Sequence, residues 1–481
     1  MNIDFIVNLI KKFLSDFNNG GIMVNETKTE FEGVENILGD PKAAVWKISL
    51  PLIISLFITS LYSVIDAAWV SSLGADALAG IGFVNPVFIA LVGIGNGLAA
   101  GATSAISKYI GEGNKKKADN GSVHAVFITV IVSIITSLVL LVFLKDILLA
   151  IGASNTIKYA MDYGTILVVG SILIILSNSL YGVLRAEGDG KRAMYAMLFA
   201  SVLNIILDPV FIYHFGLGVK GAAIATLISL LLVNIILFYW FYFKKNTYLK
   251  PLLNNFVFDM DITKDILKVG FPASLELINN ALFAALFSLL LTLVATTDAV
   301  AVYSTGWRIV TIVTTPMLAV ATALITVVAA NYGAKRYENI QIAHRYSMKI
   351  GIIFGIIAAV LLYIFAEPIV YLFAYTGTSM RLEPHLVSFL KCIVFYFPTM
   401  AYGACSTYVF QGTGNGLTAC LQTVLRETVF TLGFAILLSM VFGFGEYGAW
   451  WGIILGELVV NTITLIWADL HIKRLIRSGD K

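Results

Sequence analysis

The sequence predicts an all-α integral membrane protein, twelve transmembrane helices arranged as two pseudo-symmetric six-helix bundles. Composition, the recurrence of long apolar runs and an internal repeat each point there. Of 481 residues, 58% are apolar and 13% charged, and the mean hydropathy is +0.87. A soluble domain is roughly half apolar and about a quarter charged. One soluble core does not reach this length at this hydropathy, so apolar side chains must face lipid.

The spans follow from length. A helix needs about 20 apolar residues to cross the hydrocarbon layer. Such runs fall at 46–71, 81–107, 122–144, 158–184, 193–214 and 219–243, and again at 267–294, 301–330, 347–373, 386–410, 417–442 and 447–470. In lipid every backbone group must be satisfied within the segment, so these are helices. The ten-residue alternation of a transmembrane barrel is absent. The expected units are bundles over 45–243 and 267–470, a polar linker over 244–266 and a tail over 471–481.

Orientation follows from Lys and Arg. One set of connections carries Lys115 to Lys117, then Arg185, Lys191 and Arg192, then Lys244, Lys245 and Lys250, then Lys335 and Arg336, with Lys473, Arg474 and Arg477 in the tail. The alternate connections hold isolated cases such as Lys145, Lys158, Lys220 and Arg381. Both termini are therefore expected in the cytoplasm. Within the first 44 residues, Ile6, Leu9, Ile10, Phe13 and Phe17 share one helical face opposite Lys11, Lys12 and Asp16. That segment either lies along the membrane surface or precedes a translation start at Met23.

The repeat is legible in short motifs. Lys47-Ile-Ser-Leu-Pro51 is echoed by Lys268-Val-Gly-Phe-Pro272, and Tyr109-Ile-Gly111 by Asn331-Tyr-Gly333. Arg185-Ala-Glu187-Gly188-Asp-Gly190 aligns with Phe410-Gln411-Gly412-Thr-Gly414, Gly221 with Gly448 and Asn234 with Asn461. Six helices per half is an even number, so both halves enter the membrane in the same sense. An axis near the membrane normal then relates them, substrate is expected between them near mid-membrane, and rocking of the halves gives alternating access.

Several function classes are excluded. Cys392, Cys405 and Cys420 have neither disulfide nor zinc-knuckle spacing, and the five histidines form no ligand pair on one helix. No phosphate-binding Gly-rich loop of an ATP-driven pump occurs. Neither a cofactor nor a nucleic-acid partner is expected.

Charges inside the spans carry the chemistry, because a mid-helix carboxylate costs about 2.5–3.5 kcal/mol on insertion scales. Asp66 lies deep in the first run. Asn204 and Asp208, four apart, stack on one face of the fifth, followed by Pro209, which leaves the Ile205 carbonyl without its helical donor. Carboxylate, amide and carbonyl oxygens together suit a hard cation. Two carboxylates meeting in a dry place need a counter-ion, either a shared proton or a small cation such as sodium. Asn178 and Asn234 fit helix–helix hydrogen bonding as well as a ligand role. Through the repeat, Asp66 corresponds to Phe287 and Asp208 to Leu432, which assigns the ion site to the first half. The second half has Glu276, Arg426, Glu427 and Glu457, where Arg426 could neutralise Glu276 or Glu457.

These motifs, in this order from residue 40 onward, resemble the multidrug and toxic compound extrusion family, in particular its DinF-like branch. The carriers are Gly39-Asp40-Pro41, Val64-Ile-Asp66, Gly74-Ala-Asp-Ala-Leu-Ala-Gly80, Leu184 to Gly190, Asn204 to Pro209 and Gly218 to Thr226. The resemblance implies a V-shaped pair of bundles in the plasma membrane, expected to act as a monomer. It implies export of small organic compounds, often cationic or amphiphilic, by antiport against sodium or protons. It assigns cation coupling to Asp66, Asn178, Asn204, Asp208 and Thr226, with Asp66, Asn204, Asp208 and Thr226 as the ligands if the ion is sodium. Tyr163, Glu276 and Asn280 become candidates for a substrate or second-bundle site, and Pro51 and Pro209 for helix bending. Two alternatives compete: a lipid-linked oligosaccharide flippase of the same superfamily, and an intramembrane enzyme with Asp66 and Asp208 as a catalytic pair.

Overall fold

Asp40 starts the first span. Its carboxylate accepts from the Lys42 and Ala43 amides at 3.4 and 3.2 Å, and Pro41 occupies the first helical position, where a missing N–H costs nothing. Asn114, Asp189 and Asp259 cap later helices in the same way. The computed structural model describes residues 32–244, 247–250, 256–295, 297–374 and 382–479. The surface-helix expectation for the first residues, and Lys245 and Arg381, lie outside them.

Twelve spans result, with no strand among the described residues. The first half holds α1 (Pro41–Ser71), α2 (Ala75–Gly111), α3 (Lys115–Ala150), α4 (Ile157–Val169 joined to Ser171–Ala186), α5 (Gly190–His214) and α6 (Val219–Phe243). The second holds α7 (Met260–Val294), α8 (Thr297–Gly333), α9 (Tyr337–Ile364, continued by Ala366–Ala374), α10 (Glu383–Ile393 joined to Tyr396–Gly412), α11 (Gly416–Val441) and α12 (Gly445–Gly479). The sequence reads α4 and α10 each as one apolar run, 158–184 and 386–410; the structure breaks each run into two helices that bend by 50° and 48°. At the α4 break a Cβ on Gly170 would lie 2.3 Å from Leu227, so the bend follows close packing on α6 that hydropathy does not register. Pro51 sits inside an unbroken α1, whereas Pro209 is followed by a π-helical turn over Val210–His214.

Repeat-related residues make repeat-related contacts. Asn234 on α6 donates to the Leu173 carbonyl of α4 at 3.1 Å, and Asn461 on α12 donates to the Thr399 carbonyl of α10 at the same distance. Both asparagines act as helix–helix bonds. Gly221 packs on the Phe211 carbonyl and Gly448 on that of Leu438. These pairs correct the register of the sequence alignment. Gly188 and Gly414, both at positive φ, are equivalent, and so are Gly190 and Gly416, each opening a helix. Arg185 therefore corresponds to Gln411. A further π-helical stretch, Leu425–Thr431, adds one residue to α11, so Asp208 corresponds to Ala435 rather than Leu432.

The halves meet along α2, α7, α8 and α1. Small residues let backbones approach: a Cβ on Gly97 would lie 2.1 Å from the Ser274 hydroxyl, and one on Gly101 2.3 Å from the Ile266 carbonyl. At the end of the molecule carrying the basic connections, two equivalent glycines interlock. A Cβ on Gly111 would come within 1.9 Å of the Ala330 oxygen, and one on Gly333 within 2.0 Å of the Lys108 oxygen. Beside them Asp265 takes Lys108 at 3.1 Å and the Tyr109 hydroxyl at 2.8 Å. That end is closed.

Candidate functional site

Two polar centres occupy the membrane interior, one inside the first bundle and one facing the space between bundles. In the first, α1 delivers Asp66 and α5 delivers Asp208, with their carboxyl groups at hydrogen-bonding distance from each other. Asp208 is fully buried. The amide of Asn204, one turn earlier on the same face, reaches the Asp208 Oδ1 at 3.3 Å and the Thr226 hydroxyl of α6 at 3.4 Å. The hydroxyls of Tyr62 and Tyr163 adjoin the pair, that of Tyr62 contacting Thr226. Two buried oxygens, Asn204 Oδ1 and Asp208 Oδ2, have no hydrogen-bond partner. An all-oxygen donor set with unmet acceptors suits a proton or a hard monovalent cation. Among the described residues, no three His, Cys, Asp or Glu side chains converge as ligands for a transition metal.

Asn178 lies apart from this cluster. Its amide donates to the Ile174 carbonyl at 2.9 Å, and its side chain lines the central cavity. Sequence reasoning passed over Tyr62, because a tyrosine in an apolar run carries no signal beyond its type.

The central cavity, about 420 Å³, lies between the bundles and is lined from α1, α2, α4 and α5 on one side and from α7, α8, α10, α11 and α12 on the other. Its second-half wall carries the other polar centre. Arg426 reaches Glu427 at 3.1 Å and Glu457 at 3.4 Å. Asn279 donates to Glu427 at 2.7 Å, the Asn280 amide lies against the same carboxylate, and Asn461 donates to Glu457 at 2.6 Å. Glu276 is held instead by the Gln411 amide, at 3.1 and 3.2 Å to its two oxygens. Arg426 thus neutralises Glu457, as the sequence allows, together with its own neighbour Glu427. Gln411 and Asn279 had no counterpart in the sequence reading, where uncharged amides in a long span do not stand out. Phe283, Tyr303, Trp307 and Tyr396 line the rest of that wall.

A two-fold repeat of six helices, a cavity at the axis closed at one end and a buried carboxylate pair outside that cavity define a secondary transporter of the alternating-access type. The comparisons agree. A family model described as MatE matches residues 51–210 and 272–444, one block in each half. The chain belongs to that family, the multidrug and toxic compound extrusion transporters; it is a multi-pass plasma-membrane exporter working by antiport, and not an enzyme. It is 28% identical over 374 residues to an FAD transporter of Shewanella oneidensis, covering 76% of this chain and 80% of that one. It is 25% identical over 428 residues to a probable multidrug resistance protein NorM of Thermotoga maritima, covering 88% and 90%. The outward-facing structure of a multidrug resistance transporter of this family superposes with a TM-score of 0.90 at 33% identity, covering 92% of this chain and 98% of that one.

Proposed function

We propose that Asp66 and Asp208 form the coupling-ion site of this exporter and that small organic substrates occupy the cavity between the bundles. One observation carries the assignment: two facing carboxyl groups share a buried chamber with no cationic side chain among the described residues, and oxygens there are left without partners. Such a pair needs an incoming positive charge, either a proton or a sodium ion held by Asp66, Asp208, Asn204 and Thr226. The positive-inside distribution of Lys and Arg makes the closed end cytoplasmic. In this orientation the cavity is walled off from the cytoplasm, the state in which substrate leaves and the ion enters. Tyr163 borders the ion site, whereas Glu276 and Asn280 face the cavity, where Glu276 suits a cationic substrate group.

Efflux of a fluorescent cation from proteoliposomes, driven by an imposed sodium or proton gradient, tests the assignment. Asp66→Asn and Asp208→Asn are each expected to remove gradient dependence while the protein stays monodisperse. Undiminished gradient-driven efflux in both variants would reject it.

A further inference from the structure

The cavity contains two arginines, and the structure treats them differently. Arg426 is clamped by two carboxylates. Arg185, near the closed end of α4, lines the same cavity, yet among the described residues no carboxylate comes within ion-pair distance of it. Tyr181 and Tyr408, which bear hydroxyl groups, line the same cavity. Tyr181 and Arg185 are four apart and hence stacked, so α4 presents them to the cavity together.

The repeat explains the missing partner. Arg185 corresponds to Gln411, which donates to Glu276. Since Pro51 corresponds to Pro272, the first-half equivalent of Glu276 is Ser55, a buried side chain whose hydroxyl donates to the Leu52 carbonyl at 3.0 Å. One half thus pairs an amide with a carboxylate, while the other puts a guanidinium opposite a serine already engaged. A cation in the last turn of a helix is favoured by the helix dipole, but by only about 0.3–1 kcal/mol, and the dipole does not require the side chain to project into the cavity.

We propose that Arg185 anchors the acidic group, phosphate or carboxylate, of an aromatic substrate. The inference rests on the cavity being the substrate chamber. A planar guanidinium grips a phosphate or carboxylate through two parallel hydrogen bonds, and Tyr408 and Tyr181 add hydroxyl groups to the same cavity lining. The ring system then lies against Tyr303, Trp307 and Tyr396 on the opposite wall. The chamber accommodates an anion at its closed end and a cation at Glu276, with Tyr408 in the same lining. The Shewanella relative is an FAD transporter, whose namesake joins an aromatic ring system to a pyrophosphate.

Equilibrium binding to the purified full chain in detergent, without any gradient, tests the inference independently of the ion site. The probes are FAD, riboflavin, which has the same ring system without phosphate, and ethidium. Wild type is expected to prefer FAD to riboflavin by at least about tenfold, the scale of one charge-assisted bidentate contact. Arg185→Gln should remove that preference and change riboflavin and ethidium binding less than about twofold, while Arg185→Lys, a point charge without the fork, should retain part of it. Equal wild-type affinity for FAD and riboflavin would overturn the inference even if the glutamine variant failed to fold. So would an unchanged preference in Arg185→Gln, or an equal loss of all three probes. Ethidium binding with no FAD binding would reject the anion subsite alone. Binding of none of the three would reject the chamber as well.

Discussion

The two bundles share helix order, interhelical asparagine bonds and interlocking glycines, yet fill one equivalent place in opposite ways. Where the first has Asp66, Asp208 and Thr226, the second has Phe287, Ala435 and Ile453, all buried. Phe287 packs on Tyr303 in a tilted arrangement with ring centroids 4.7 Å apart, inside a packed aromatic cluster. The second bundle has moved its charges toward the central cavity and supplied Arg426 as a counter-ion. A carboxylate pair without an internal cation depends on what arrives from solution, whereas one balanced by an arginine does not. On the proposed assignment, the first design couples to an ion gradient, whereas the second holds a wall in place.

The largest effect should come from breaking the first design. Asp208→Asn or Asp66→Asn is expected to lower gradient-driven efflux by more than about tenfold, equivalent to at least ~1.4 kcal/mol of lost coupling. Thermal stability should stay within about 1 kcal/mol of wild type or rise, because a buried facing pair of carboxylates is removed. A loss of stability greater than the loss of transport would make the pair structural.

The second bundle should respond in the reverse order. Arg426→Met leaves Glu427 and Glu457 buried without their cation and should destabilise the protein by about 3–5 kcal/mol, as broken buried pairs do. Adding Glu427→Gln and Glu457→Gln should recover most of it. Thermal unfolding in detergent reads both. Unchanged stability of Arg426→Met would erase the distinction between the bundles.

Much of this contrast was legible in the sequence. Long apolar runs located every span, and the isolated Asp66 and Asp208 identified the pair, since carboxylates inside such runs stand out against lipid. The absence of that pair from the second half was equally visible, although the alignment faced Asp208 with Leu432 and the packing faces it with Ala435. What fixed that register was the extra residue in the π-helical stretch of α11 and the glycine contacts of α6 and α12, neither of which alters the apolar pattern. The bends at Gly170 and before Tyr396 stayed invisible for the same reason. Asn178 was misplaced because its type and depth resemble those of a ligand, and only its face of α4 sends it to the cavity.

The shared features can be used to sharpen the comparison. Gly111 and Gly333 interlock across the axis, so alanine at either adds a methyl group against a backbone carbonyl on the other half. Each should weaken the closed end by about 1–3 kcal/mol, the usual scale of overpacking, and by similar amounts. Spin-label distances between the ends of α2 and α8 would report a larger open fraction in both variants. Opening by one glycine variant alone would mean that the halves do not share this contact equally.

The smallest effect on transport is expected at the rim of the closed end. Glu187, just past α4, accepts from the Leu249 amide of the linker at 2.9 Å, and its other oxygen is buried without a partner. Its equivalent in the second half is Thr413, so this contact has no twin. Burial, reinforced by Asp189, pushes the Glu187 carboxyl up to about 8, against the opposing pull of the Leu249 bond, Arg192 and Lys115. An undocked linker would leave it near the ordinary value of about 4.3. The docked form then holds the proton more tightly, so docking is strongest below about pH 4.3, weakens as pH rises toward 8 and changes no further above it. Hydrogen exchange of the Leu249 amide should therefore accelerate across that window beyond the intrinsic base-catalysed trend, and Glu187→Gln should abolish the excess while keeping the amide protected. An identical pH slope in wild type and Glu187→Gln would place the titrating group elsewhere and leave the asymmetry of the two halves confined to the membrane interior.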